Sequence, residues 1–248
     1  MTALMQALSF LTIVRLARRA GGEGAPTAWT AAWFPLVGLA LGVGLVGLDR
    51  LLAFVLPRPV GSTLLVVAWV AVTGALHLDG LMDCADALPG VRGEADRLRI
   101  LKDPALGAFG VAAGCFAILL KVMALASTEG AMRLQALGLA PAMGRWAVLL
   151  VMRLFPYANR PNGGTGAGMT RTLGLRHLAV GTVVALVAGA ACGFRGVAAM
   201  SLAGGVALLI AQYAGRRLPG LTGDVYGAVI ECTEMTTLLL FSAHRIAY

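Results

Sequence analysis

Three features predict an all-α fold, a polytopic bundle of transmembrane helices. The chain is 58% hydrophobic and only 13% charged, with a mean hydropathy of +0.82, whereas soluble domains carry about a quarter charged residues. Its apolar residues gather into about seven segments near membrane length, separated by short stretches rich in Gly, Pro and Arg. Glycine is plentiful, at 33 residues, and recurs with small-xxx-small spacing at Gly38/Gly42 and Gly110/Gly114, which favours close helix approach. Residues 1–248 read as a single integral membrane domain, with the lipid bilayer as its surroundings.

The first element, residues 1–14, is apolar and then meets Arg15, Arg18 and Arg19. A signal peptide has its charge first, and fourteen residues are short for a span. The expectation is an N-terminal interfacial or half-buried helix. The first span covers about 35–56, with Asp49 and Arg50 near its outer end, followed by the turn Pro57-Arg58-Pro59. The second covers about 62–78, and its helix is expected to run on to Leu88, where Pro89-Gly90 stops it. A charged loop at 91–103 ends in Asp103-Pro104, which has the form of an N-cap followed by proline at the first helical position. The third span follows at about 105–126, with Lys121 near its far end expected to snorkel. The fourth, about 134–152, contains Arg145. A Gly-rich loop around 156–166 leads to the fifth span (178–192), the sixth (197–213) and the seventh (224–243).

The net charge of +8 would suggest nucleic acid in a soluble chain. Here no aromatic–basic interleaving accompanies it, so no nucleic-acid partner is expected, and positive-inside bias explains the charge. With the N-terminus inside, Arg15, Arg18, Arg19, Arg92, Arg97, Arg99, Lys102, Arg153, Arg160, Arg171, Arg176, Arg216 and Arg217 are cytoplasmic; the outer turns hold only Arg58, Arg133, Arg195 and Arg245. The four cysteines show no paired or zinc-like spacing.

The chemistry concentrates in residues 74–88. Asp79, Asp83 and Asp86 stand at i, i+4 and i+7, within roughly 60° of one another on a helix. Three like charges beside an apolar segment need water, protons or a cation. Clustered carboxylate oxygens suit Mg²⁺ or Mn²⁺, usually alongside substrate phosphates. A helix end that merely needs solvation is the plainer alternative. A second acidic face opens the last span, with Asp224 and Glu231 at i, i+7 and Glu234 three residues on. These acids can ligate metal, accept hydrogen bonds or pair with Arg145, and Asp224 can equally be a helix cap. His77 reads as a general base, a phosphate donor or a satisfied core histidine. Lys102 and Asp103 have the types to meet phosphate and metal, and Arg145 suits an anion, either a substrate phosphate or a glutamate.

The segments His77-Leu-Asp-Gly-Leu-Met-Asp-Cys-Ala-Asp86, Lys102-Asp-Pro-Ala-Leu-Gly-Ala-Phe-Gly110 and Gly223-Asp-Val-Tyr-Gly-Ala-Val-Ile-Glu-Cys-Thr-Glu234 together resemble the cobalamin (5′-phosphate) synthase family, also called adenosylcobinamide-GDP ribazoletransferases. The resemblance runs in order over nearly the whole chain. It implies an Mg²⁺-dependent bacterial inner-membrane transferase with its site facing the cytoplasm. Such an enzyme joins adenosylcobinamide-GDP to α-ribazole or its 5′-phosphate and releases GMP, late in adenosylcobalamin synthesis. The aspartates that match its first motif are Asp79, Asp83 and Asp86; the metal candidates are these three with Asp103, Asp224 and Glu231, and the catalytic candidates are Asp79, Asp83 and His77. Lys102, Arg145, Arg160 and Glu234 are the substrate-binding candidates, the ribazole 5′-hydroxyl is the expected nucleophile, and the oligomeric state is left open. The sequence departs from the family pattern at Ala87, where Gly is usual, and at Asn159-Arg160, where Arg usually follows Pro-Tyr-Ala directly. Two other classes compete. A CDP-alcohol phosphotransferase lacks its Asp-Gly-x-x-Ala-Arg opening here, and a cation-coupled transporter would show repeats or paired broken helices.

Overall fold

The structure, a computed structural model, describes residues 2–14, 25–158 and 166–243. Its helices in order are α1 (Ala3–Leu11), α2 (Ala28–Ala32), α3 (Phe34–Leu52), α4 (Arg58–Val72), α5 (Leu76–Ala87), α6 (Glu94–Ile100), α7 (Ala108–Ala126), α8 (Gly130–Leu154), α9 (Ala167–Arg171), α10 (Leu175–Ala191), α11 (Gly193–Gly215) and α12 (Gly223–Ser242). Among the described residues the only β pairing is an isolated bridge, Tyr157 to Leu221. The chain is therefore all-α, as its composition predicts.

Five helices, α3, α7, α8, α11 and α12, are long and apolar enough to cross a membrane, which makes this a multi-pass membrane protein. Of the seven expected spans, the fifth and the second fall short for physical reasons. At 17 residues α10 is short, and α4 and α5 count as a sixth candidate only as a pair bent by 88°. The bend corrects the expectation of one helix running to Leu88. Gly74 and Ala75 both take left-handed backbone (φ 62° and 58°), and Ala75 N–H closes back on Val70 O at 2.9 Å. Alanine in that region costs roughly 1–2 kcal/mol, so the surrounding packing must hold the bend. At 12 residues α5 is only about 18 Å long; it turns away from α4 and packs against α12 and α7.

The core forms around α8, which touches α3, α10, α11 and α12. Glycine explains the closest approach. A Cβ on Gly38 would strike the Pro141 carbonyl, and one on Gly42 the Gly138 backbone. The Gly110/Gly114 pair does the same work between α7 and α5, where Met82 and the Asp86 carboxylate occupy the space. Near the C-terminal end of α3, Asp49 does not pair with its neighbour Arg50. It takes Arg133 of α8, 2.7 Å away, which also donates to Ser62 at 3.1 Å. The N-terminal α1 packs on α2 and α3, with Phe10 stacked on Phe34 at 5.7 Å.

Candidate active site

The aspartate helix is positioned at three places. Its start crosses α12 at two glycines: a Cβ on Gly80 would lie 2.7 Å from Asp224 O, and one on Gly227 3.0 Å from His77 O. Backbone meets backbone there, which draws the Asp79 and Asp224 ends of the two acidic faces together. Its end is held by Arg97 of α6, which donates to Ala87 O (2.9 Å), Gly90 O (2.8 Å) and Leu88 O. A cation on the last carbonyls suits the negative end of the helix. Its side is held by Asp86, whose carboxylate oxygens accept Gly107 N–H at 2.8 Å and Gly110 N–H at 2.9 Å. Asp86 is thus the cap of α7, supplied from another helix. Asp103 is not: α7 begins after Gly107, and Asp103 Oδ1 accepts Ala105 N–H at 2.9 Å in a local turn. Gly80→Ala is expected to force α5 off α12 and lower stability by about 1–3 kcal/mol, read as a fall in the unfolding midpoint of purified protein in micelles; an unchanged midpoint would mean that the crossing is loose.

Two groups of charges emerge. The first is buried. Lys121 is 2% exposed and points inward, not to the membrane edge as expected. Its ammonium lies 2.7 Å from Glu231 Oε2, 2.6 Å from Glu234 Oε2 and 4.6 Å from the centre of the Trp69 ring. Arg145, fully buried, pairs with Glu234 Oε1. Two cations and two carboxylates cancel, which is what an apolar interior demands. Glu231 is therefore committed to Lys121 rather than to a metal, and Arg145 and Glu234 to each other rather than to substrate. Arg145 Nη2 also stands 3.3 Å from His77 Nδ1. A guanidinium only donates, so Nδ1 accepts and the ring proton sits on Nε2. His77 then offers a donor, which removes the general-base role expected of it.

The second group faces solvent. Asp79 is exposed, and Asp83 and Asp224 are half-buried. Burial, reinforced by the neighbouring carboxylates of Asp79, Asp224 and Asp86, pushes Asp83 up to about 6. Asp79 and Asp224 also line a cavity of about 330 Å³ between α1, α3, α5, α8 and α12, together with His77, Tyr157 and Tyr226. Lys102 and Asp103 lie elsewhere, exposed on a shallow surface depression beside α6. Arg160 lies outside the described residues, as do Arg15, Arg18 and Arg19.

Among the described residues no group of three or more His, Cys, Asp or Glu side chains is arranged to hold a metal ion. Magnesium does not require one: it commonly takes one or two carboxylates and completes its shell with water and substrate phosphates. Asp79, Asp83 and Asp224 meet that smaller demand; Asp86, Asp103 and Glu231 do not join them. Lys121 and Arg97 had no individual signal in the sequence. Charge balance gave a hint of the first, since two glutamates inside one span need more than Arg145 alone.

The family profile described as Cobalamin-5-phosphate synthase matches residues 3–242. Among similar curated proteins, the adenosylcobinamide-GDP ribazoletransferase of Desulforamulus reducens is 35% identical over 241 residues, covering 96% of this chain and 95% of that one. The protein of the same name from Pseudomonas paraeruginosa is 40% identical over 243 residues, 96% of each chain. The one from Synechocystis is 40% identical over 219 residues, 84% of this chain and 83% of its own. No solved structure matches.

Proposed function

The chain belongs to the cobalamin-5-phosphate synthase family, a transferase of cobalamin biosynthesis, and from that premise we propose how its acidic face works. The substrates are adenosylcobinamide-GDP and α-ribazole or its 5′-phosphate, and the products are adenosylcobalamin or its 5′-phosphate and GMP. A hydroxyl oxygen of the ribazole forms a bond to the phosphorus on the cobinamide side. The bond from that phosphorus to the bridging oxygen breaks, and GMP leaves with that oxygen. The family description names a 5-phosphate product, and an acceptor already phosphorylated on its 5′ oxygen has no 5′-hydroxyl to react. The nucleophile is therefore a ring hydroxyl of the ribose, not the 5′-hydroxyl expected from the sequence.

The observation that carries this assignment of roles is the convergence of Asp79 and Asp224 at one cavity mouth, with Asp83 near enough to feel both carboxylates. Asp83, raised toward neutrality, takes the hydroxyl proton on a carboxylate oxygen. Asp79 and Asp224 would hold Mg²⁺ against the pyrophosphate, where the cation supplies charge neutralisation for the departing GMP. His77 and Arg145 act behind them, the first as a donor and the second as its support. We place the chain in the bacterial cytoplasmic membrane with the site facing the cytoplasm; the Arg and Lys asymmetry and a guanine nucleotide as leaving group support that orientation.

The test is GMP release by purified protein in nanodiscs, supplied with adenosylcobinamide-GDP and α-ribazole, with and without Mg²⁺. Release coupled to a cobalamin product and abolished by chelation is expected; no release from folded protein would overturn the assignment. A pH prediction follows from Asp83. Only its charged form serves as base or ligand, so the rate is expected to rise about tenfold per unit up to about pH 6 and level above it. The break should move to lower pH as Mg²⁺ is raised, because a nearby cation favours the carboxylate. A pH–rate profile at two Mg²⁺ concentrations with one unmoved break would sink the role given to Asp83.

A further inference from the structure

Resting on the transferase activity above, we propose that the cavity behind the acids seats the aromatic base of the acceptor nucleoside, with Tyr226 and His77 as the two donors that orient the nucleoside.

Among the described residues, buried unsatisfied polar atoms and the acidic mouth coincide at this cavity. Tyr226 is 8% exposed and His77 3%. Among the described residues neither the Tyr226 hydroxyl nor His77 Nε2 has a hydrogen-bond partner. Burying such a donor costs about 1–3 kcal/mol, and two that line the same cavity point to a ligand that meets them. Nothing in the reaction as described uses Tyr226, so its orphaned hydroxyl is not explained by phosphoryl transfer. The proton on Nε2 is dictated by Arg145 on the other ring nitrogen, so His77 presents a fixed donor rather than a switchable one.

The remaining wall is apolar: Phe10, Phe34, Val148, Met152, Met169 and Ile230. Tyr157 completes it, its ring 6.0 Å from that of Tyr226. That segment is fastened by Ala158 N–H to Leu221 O at 2.9 Å and Leu221 N–H to Pro156 O at 2.8 Å, so the aromatic pair is held by backbone rather than by packing alone.

Size separates the two substrates. A volume of about 330 Å³ is at the low end of small-molecule sites, which run from about 300 to 1,000 Å³. It suits a bicyclic heterocycle and not a corrin macrocycle carrying a guanine nucleotide. An N-linked heterocyclic base of the benzimidazole kind keeps a ring-nitrogen lone pair and has an otherwise apolar outline. The one lone pair takes one donor, the Tyr226 hydroxyl, and the aromatic and aliphatic wall matches the rest of the outline; the His77 Nε2–H is left for an oxygen of the attached ribose. Placing the base inside leaves the ribose at the mouth beside Asp79 and Asp224, where its hydroxyl must react. The corrinoid then approaches from outside the cavity.

The test uses full-length protein in nanodiscs, as parent, Tyr226→Phe and Val148→Trp, the last filling the cavity from α8. KM is measured separately for α-ribazole and for adenosylcobinamide-GDP, and α-ribazole binding is measured by calorimetry without corrinoid. Tyr226→Phe is expected to raise the α-ribazole KM and Kd about tenfold, the loss of one well-made hydrogen bond, with the corrinoid KM within about twofold. Val148→Trp is expected to abolish α-ribazole binding. An unchanged α-ribazole KM in Tyr226→Phe, or a shift confined to the corrinoid KM, would overturn the proposal. So would parent protein that turns over while Val148→Trp still binds α-ribazole normally. If the parent releases no GMP, the transferase assignment fails by itself; the cavity is then judged on calorimetry, where α-ribazole binding lost in Tyr226→Phe supports it and absent binding by the parent overturns it.

Discussion

Asp83→Asn is expected to release GMP at least about a hundredfold more slowly than the parent, with the unfolding midpoint unchanged or raised. The amide keeps the shape and removes the charge. Phosphoryl transfer depends almost wholly on positioning and charge stabilisation, and losing about 3 kcal/mol of either costs roughly a factor of a hundred. Stability should not suffer, because the parent folds with Asp83 beside the carboxylates of Asp79, Asp224 and Asp86, and a neutral side chain relieves that repulsion. Single-turnover GMP release and a melting curve decide it together. Activity within about threefold of the parent would move the base role from Asp83 to Asp79 or Asp224. A lowered midpoint would recast Asp83 as structural.

Glu234→Ala is expected to destabilise by about 3–5 kcal/mol, the usual consequence of removing one partner from a buried ion pair. Glu234 accepts from Lys121 at 2.6 Å on one oxygen and from Arg145 on the other, and all three are essentially inaccessible. Its loss leaves two cations with only Glu231 between them. Had Glu234 bound substrate, as its place in the last motif suggested, the variant would fold normally and lose affinity. A denaturation series in mixed micelles separates the cases: a parental midpoint with a raised KM for either substrate would restore the substrate-binding role and remove the structural one.

These outcomes depend on how the two acidic motifs divide, and the division could be read only in part from the sequence. Asp79, Asp83 and Asp86 do share a helix, and Asp224 does open another. Spacing on a helix, though, says only which side chains share a face, not what stands opposite. Opposite Asp86 are two backbone N–H groups of α7, so it caps. Opposite Glu231 is Lys121, so it pairs. Asp79 and Asp224 line a cavity, where a substrate can reach them. Tyr226 stood inside the last motif in plain view, but a tyrosine in an apolar helix carries no mark until its hydroxyl is seen to lack a partner.

By itself the sequence determined the membrane class, the approximate place of the long helices and the family, since hydropathy, helix caps and ordered motifs are local and survive being read one residue at a time; the short α2, α6 and α9 fell in stretches it read as connectors and loops. Only the tertiary structure decided the bend at Gly74-Ala75, the inward turn of Lys121 and the meeting of α5 with α12 at Gly80 and Gly227. Each of these is a choice between two locally acceptable states. A helix can continue or turn, and a lysine can snorkel or bury. The free energy that selects between them comes from groups far away in the chain that meet only when it is folded.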